Sequence, residues 1–151
     1  MQRPLPVWID LARARAKQQL DGLVAGERMP RLSEAGVELL RPAEVSVCLT
    51  VPEFRSDARP AEVSGRIVAL ASLQCQRCMG SMEHRIESQV FWQLVASDST
   101  EVDEDAEPIV LEGDRFELLE AVTDELLLAV PSYPRHAECA LPGTHSGSDD
   151  N

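Results

Sequence analysis

The chain is expected to fold as a single α+β domain. Its core would be an antiparallel β-meander of about three to five strands, with N-terminal helices and a C-terminal amphipathic helix packed on it. Three observations carry this expectation. The segments 44–51, 63–73 and 82–96 place apolar residues at every second position, the period of a half-buried strand. Short connections join them, which suits antiparallel neighbours; parallel strands need long crossovers. Residues 114–130 instead space their apolar side chains by three and four, as a helix with one buried face does. A length of 151 residues suits one domain, since a core of that size buries roughly 70% of the unfolded chain's surface.

Taken in order, the Pro-punctuated start leads into Ile9 to Leu20, IDLARARAKQQL, a run of strong helix formers that Asp10 can cap. This predicted helix carries Arg13, Arg15 and Lys17. They read either as a solvated face with aliphatic stems over the core or as an RNA-contacting one. Gly22 and Gly26 flank a short strand at 23–25, and Arg31 to Leu40 predicts a second short helix with Leu32, Ala35, Leu39 and Leu40 inward. Strand 44–51 then turns Val45, Val47, Leu49 and Val51 to one face and leaves Cys48 on the other. After a polar loop from Pro52 to Pro60, strand 63–73 aligns Val63, Ile67, Ala69, Ala71 and Leu73. Strand 82–96 aligns Ile86, Val90, Trp92 and Leu94, with His84 on the same face.

Residues 97–107, SDSTEVDEDAE, form an acidic run with little to bury and are expected to be a mobile loop. They lack the glycine and ligand spacing of a calcium loop. Pro108 to Leu111 predicts a short edge strand. The helix from Asp114 to Val130 should open on an Asp114/Glu117 capping box and stop at Pro131. The domain is placed at residues 1–140, with a disordered small and polar tail at 141–151.

The composition narrows the classes of function. Aromatics are only 4%, so the core must be aliphatic, and the net charge of −12 disfavours non-specific attachment to nucleic acid or an anionic membrane. The charge is unevenly distributed. Residues 1–82 hold 11 Arg/Lys against 9 Asp/Glu, whereas residues 83–151 hold 3 against 17. No run approaches the roughly 20 apolar residues of a membrane-spanning helix, and the N-terminus lacks an apolar signal core. A soluble, cytoplasmic protein is expected, with its four cysteines reduced or bound to metal.

Cys75-Gln76-Arg77-Cys78, between the two longest predicted strands, has three readings. Its thiolates can chelate zinc, with His136 and Cys139 completing a Cys₃His set. They can form a redox pair, which usually needs a helix N-terminus to depress one thiol pKa. They can also be plain structural cysteines. Arg77 is expected to point outward from the turn, available to RNA or a protein partner. His84 is expected to be a satisfied core histidine and is kept as a substitute fourth ligand. Asp124-Glu125 reads as solvated charge, because consecutive helical positions diverge by about 100°. The sequence contains no Gly-rich phosphate loop, nucleophile elbow or HExxH, so no catalytic residue is assigned.

Three stretches together give the chain a family resemblance. They are LPVWIDLARARAKQQLDG near the start, LQCQRCMGSMEHRI in the middle and ELLEAVTDELLLAVPSYPRHAEC near the end. In that order the chain resembles the YceD family, the large ribosomal RNA subunit accumulation proteins of bacteria and plastids. The resemblance implies a part in the synthesis, processing or stability of 23S rRNA, without known catalytic activity. It also implies a gene neighbour encoding a ribosomal protein of that subunit. Some relatives carry CxxC cysteines where this chain has His136 and Cys139, a departure that bears on the metal reading.

The leading expectation is a non-enzymatic ribosome-biogenesis factor whose partner is 23S rRNA or the pre-50S particle. Arg13, Arg15, Lys17 and Arg77 are its candidate contacts. The alternatives are an acidic adaptor or chaperone for a basic large-subunit ribosomal protein, and a CxxC thiol redox protein.

Overall fold

In the computed structural model, which describes residues 3–97 and 100–135, the alternating runs become the centre of a sheet. In chain order the strands are β1 (Arg3–Pro4), β2 (Ile9–Asp10), β3 (Lys17–Val24), β4 (Glu38–Leu39), β5 (Ala43–Thr50), β6 (Ala61–Gln74), β7 (Ser81–Val95), β8 (Glu107–Val110) and β9 (Arg115–Phe116). A 3-10 turn (Gly26–Arg28) and α1 (Pro30–Glu34) follow β3, and α2 (Leu118–Ala129) follows β9. The seven-stranded sheet is ordered β1-β3-β5-β6-β7-β8, with β4 also paired to β6, while β2 and β9 form a separate ribbon. The fold is therefore α+β with a mostly antiparallel sheet, a C-terminal helix and little other helix.

The meander follows from the alternation. Strands β3, β5, β6 and β7 pair antiparallel in sequence order. The face carrying Val45, Val47, Leu49, Val63, Ile67, Ile86, Val90, Trp92 and Leu94 is buried. Leu118, Leu119, Val122 and Leu126 of α2 belong to the same core, as do Leu32 of α1 and Met29 before it. Mostly polar residues line the opposite face, with Val68, Leu70 and Phe91 half-buried among them, close to the usual pattern for an antiparallel sheet covered on one side. There Asp21 accepts from the Ser46 hydroxyl at 2.7 Å and from Gln19 Nε2 at 2.9 Å. These bonds, led by that from Ser46, hold its carboxyl below the ordinary aspartate value.

The predicted helix over Ile9–Leu20 is not formed. Ile9–Asp10 pairs with Phe116–Arg115, and Lys17–Val24 pairs with β5 along its whole length, burying Leu20 and Val24. Ala, Arg, Gln and Leu favour a helix only weakly per residue. Eight residues of ladder, satisfying one edge of β5, outweigh that preference. The second predicted helix is cut short for a local reason. Gly36, at φ 83°, ends α1 by donating to the Ser33 carbonyl while Val37 N–H donates to that of Leu32, leaving 38–39 to pair with β6. Leu32 is buried as expected, but Ala35 and Leu40 are exposed.

α2 starts later than predicted, because Arg115–Phe116 is held in the ribbon with β2. Leu11 N–H also takes the Asp114 carbonyl at 2.7 Å. The capping box is accordingly absent: Glu117 is the N-cap without a side-chain cap bond, and its carboxylate is held by Arg115. Strand β8 lies where an edge strand was expected, but it runs parallel to β7. No helix among the described residues is long and apolar enough to cross a membrane.

Candidate functional site

Two places gather the residues singled out above. The first is at one end of the sheet. The chain leaves β2 through a turn in which Asp10 Oδ1 accepts from Ala12 N–H at 3.0 Å and the Asp10 carbonyl accepts from Arg13 N–H at 3.1 Å. Asp10 therefore caps a turn, as aspartate often does, and not a helix. Arg13 extends into solvent with its side chain 88% exposed, its Nε 3.8 Å from the Asp10 carboxylate. Arg15 is exposed, and Lys17, also exposed, begins β3 opposite Thr50.

The loop after β5 meets this turn. Val51 N–H donates to the Ala16 carbonyl at 2.8 Å, and Arg55 pairs with the Asp114 carboxylate while Leu11 binds the carbonyl of the same residue. Between Val51 and Arg55 stands Phe54, 78% exposed. The loop that carries this exposed ring is thus tied to the segment that bears the three cations. Sequence reading passed over Phe54 because it sits in a polar loop without periodicity. A lone exposed aromatic between Pro52 and Pro60 was the signal available.

The second place is the β6–β7 hairpin. Its strands stay paired out to Gln74 and Ser81, so the Cys75–Cys78 segment is the turn itself. Cys75 is wholly buried and Cys78 half-buried. Cys75 N–H donates to the Gly80 carbonyl at 2.8 Å, Met79 N–H donates to the Cys75 carbonyl at 2.8 Å, and Arg77 N–H points at Cys75 Sγ at 3.4 Å. Met79 takes a left-handed conformation, φ 66°, to close the turn. The segment after α2 returns over it, since Gln76 N–H donates to the Pro134 carbonyl at 2.7 Å.

Arg77 departs from expectation. It is only 9% exposed and does not present its guanidinium outward. His84 is half-buried, opposite Ala71. It stands three residues past the hairpin end, roughly 10 Å along the strand, too far to ligate a metal held at the cysteine turn. Cys48 lies half-buried on the face opposite Val47, as expected. His136 and Cys139 lie outside the described residues. Among the described residues, no three His, Cys, Asp or Glu side chains converge as a metal site.

Asp124 and Glu125 diverge as expected, but only Asp124 is exposed; it and Glu120 bind Arg31 of α1 at 2.6 and 2.8 Å. Glu125 is half-buried, and desolvation, with Glu107 of β8 nearby as a like charge, raises its pKa. In the acidic run, Asp103 exchanges bonds with buried Gln93, its N–H donating to Oε1 at 2.9 Å and its carboxylate accepting from Nε2 at 3.2 Å. Asp57 accepts from Thr100 and from Ala96 N–H, and these bonds, Thr100 first, hold its carboxyl below the ordinary value.

Comparison with known proteins gives a consistent result. Residues 63–151, from β6 onward, match the family described as "Large ribosomal RNA subunit accumulation protein YceD". A protein of that name from Haemophilus influenzae is 29% identical over 138 residues, covering 88% of this chain and 76% of that protein. No solved structure matches the chain.

Proposed function

The chain belongs to the YceD family of large ribosomal RNA subunit accumulation proteins, and from that premise we infer that it is a non-enzymatic factor contacting 23S rRNA or its precursor particle directly. The contact surface is the turn carrying Arg13, Arg15 and Lys17, with Phe54 beside it. The single observation that carries this reading is that the loop carrying exposed Phe54 is bonded to the segment carrying three exposed cations, through Val51 N–H and the Ala16 carbonyl. That pairing suits unpaired RNA. Cations track phosphates, and every base offers a π-face on which an aromatic can stack. Arg77, being buried, is left out of this surface. The net charge of −12 disfavours non-specific RNA binding by the rest of the chain.

The test compares the parent chain with Arg13→Ala/Arg15→Ala/Lys17→Ala and with Phe54→Ala, measuring co-sedimentation with precursor particles and affinity for single-stranded 23S fragments across a salt series. If each cation meets one phosphate, the triple variant lowers the slope of log K against log salt by about 2. Loss of the ring costs roughly 1–3 kcal/mol of binding. Unchanged affinity and salt slope in the triple variant would refute the reading.

A second reading, an adaptor for a basic ribosomal protein, is favoured by a groove of about 470 Å³ between β8 and α2 whose lining sets Glu112, Glu117, Glu120 and Asp124 against a single cation, Arg115. It predicts that ribosomal-protein partners survive ribonuclease treatment in a pull-down, whereas the first reading predicts their loss.

A further inference from the structure

We propose that β8 accepts one more strand from a partner: an extended basic segment that pairs along its open edge and turns alternate side chains toward the acidic flank of α2. The inference rests on the second reading above and names the surface and the kind of chain that fills it.

Among the described strands β8 has β7 as its one neighbour. The bond from Leu111 N–H to the Val95 carbonyl, 2.8 Å, fixes which backbone groups face β7. Backbone groups alternate in direction along a strand, and β8 runs parallel to β7 in this register. Residues 109 and 111 therefore face β7, while Val110 N–H and the carbonyls of Pro108 and Val110 face away. Pro108 lacks an N–H, which an outer edge tolerates. Val110 is 49% exposed. A strand added here would run about 4.8 Å from β8, along the groove that separates β8 from α2. From α2 the groove receives Glu117, Glu120, Ala121 and Asp124, spaced as one stripe of a helix.

Charge selects the occupant. Residues 101–125, which carry β8 and most of this stripe, hold eleven Asp/Glu against one cation, Arg115. Arg115 holds Glu117, and Arg31 holds Glu120 and Asp124. Glu107 and Glu112, at the two ends of β8, make no ion pair among the described residues. Glu107 instead lies near Glu125, whose pKa is raised by burial and by that like charge. RNA is repelled by such a surface. Pairing with a second copy would set Glu107 of one chain against Glu112 of the other, and like charges opposed across strands destabilise the pair. The chain's own residues 136–151 contain no Lys or Arg. A partner segment with Lys or Arg at alternate positions satisfies both the open backbone groups and the unpaired carboxylates, as strand addition requires.

The test uses the full chain and a short labelled peptide of alternating Lys and Thr. The peptide should bind, and amide hydrogen exchange at Val110 should slow when it does. Val110→Pro removes the outward N–H and leaves the bonds to β7, so Tm should hold while affinity falls about two- to tenfold, the worth of one hydrogen bond. Glu107→Gln/Glu112→Gln should weaken binding by up to about fivefold per charge and flatten its salt dependence. Arg13→Ala/Arg15→Ala/Lys17→Ala should leave it unchanged. In case Val110→Pro fails to fold, the parent chain is tested with the same peptide N-methylated along its pairing edge, which keeps every charge and should bind more weakly. Equal binding of the N-methylated peptide, or no change in Val110 exchange, would overturn the proposal. So would Val110 protection in the free chain that disappears on dilution or on removal of residues 136–151, or protection conferred by single-stranded RNA. Survival of ribosomal-protein partners through ribonuclease tests the adaptor reading separately, so failure of the peptide at Val110 overturns this site even where those partners are retained.

Discussion

Gly65 occupies the middle of β6, facing Val47 of β5 on one side and Val90 of β7 on the other. The strands approach so closely there that a Cβ on residue 65 would lie 2.1 Å from the Ser46 carbonyl oxygen and 2.6 Å from Val47 Cα. Ordinary contact begins near 3.4 Å, and both obstructing atoms are backbone, so β5 and β6 must part. Gly65→Ala should therefore strain the ladder at its centre, between the pairs Val45–Ile67 and Leu49–Val63. Overpacking costs about 1–3 kcal/mol and a weakened ladder bond about 0.5–1.5 kcal/mol. The stiffer unfolded chain returns about 0.4–1 kcal/mol. The net loss is about 2–3 kcal/mol, or a fall of roughly 5–10 °C in Tm for a chain of this length. Urea denaturation should show a lower midpoint at an unchanged slope. Gly26→Ala is the control, since its Cβ would meet only the Leu39 side chain at 3.6 Å, and it should be neutral or slightly stabilising. A Gly65→Ala midpoint equal to that of the parent would refute the close approach of β5 and β6.

Two further perturbations probe how α2 sits on the sheet. Leu126 is fully buried, so Leu126→Ala should cost about 2–5 kcal/mol in the same denaturation assay. A smaller loss would mean that α2 is not seated as described. The folded pKa of Glu125 lies above its unfolded one, so its contribution to stability is fully present below the unfolded value and is lost as pH rises through the folded one. Glu125→Gln should accordingly raise Tm at pH 7, with the gain vanishing on acidification below the ordinary glutamate range. A gain that is the same at both pH values would place its cause elsewhere.

The meander was legible in the sequence because each central strand buries one face, and burial of one face imposes period-2 alternation directly on the residues. The same logic located α2, β8 and the hairpin position of Cys75 and Cys78. The family was legible too, through stretches near the start, at the hairpin and around α2. Residues 9–20 misled because their helix propensity is local and weak, whereas the need of β5 for a partner on its open edge is not visible in those residues. Once the segment is turn and strand, Arg13, Arg15 and Lys17 no longer lie on a helix, and the loop of Phe54, 37 residues beyond Lys17, is bonded to their segment through Val51 and Ala16. Arg77 was read as outward because a turn is usually exposed, and only the return of Pro134 over Gln76 reveals that this one is covered. The approach of Glu107 to Glu125, two like charges, likewise depends on α2 lying against β7 and beside β8. Alternation and helical period therefore determined which residues turn inward. Which loops share an end of the sheet, and which turn the chain covers, were decided by long-range packing, because those contacts join residues whose local patterns carry no trace of one another.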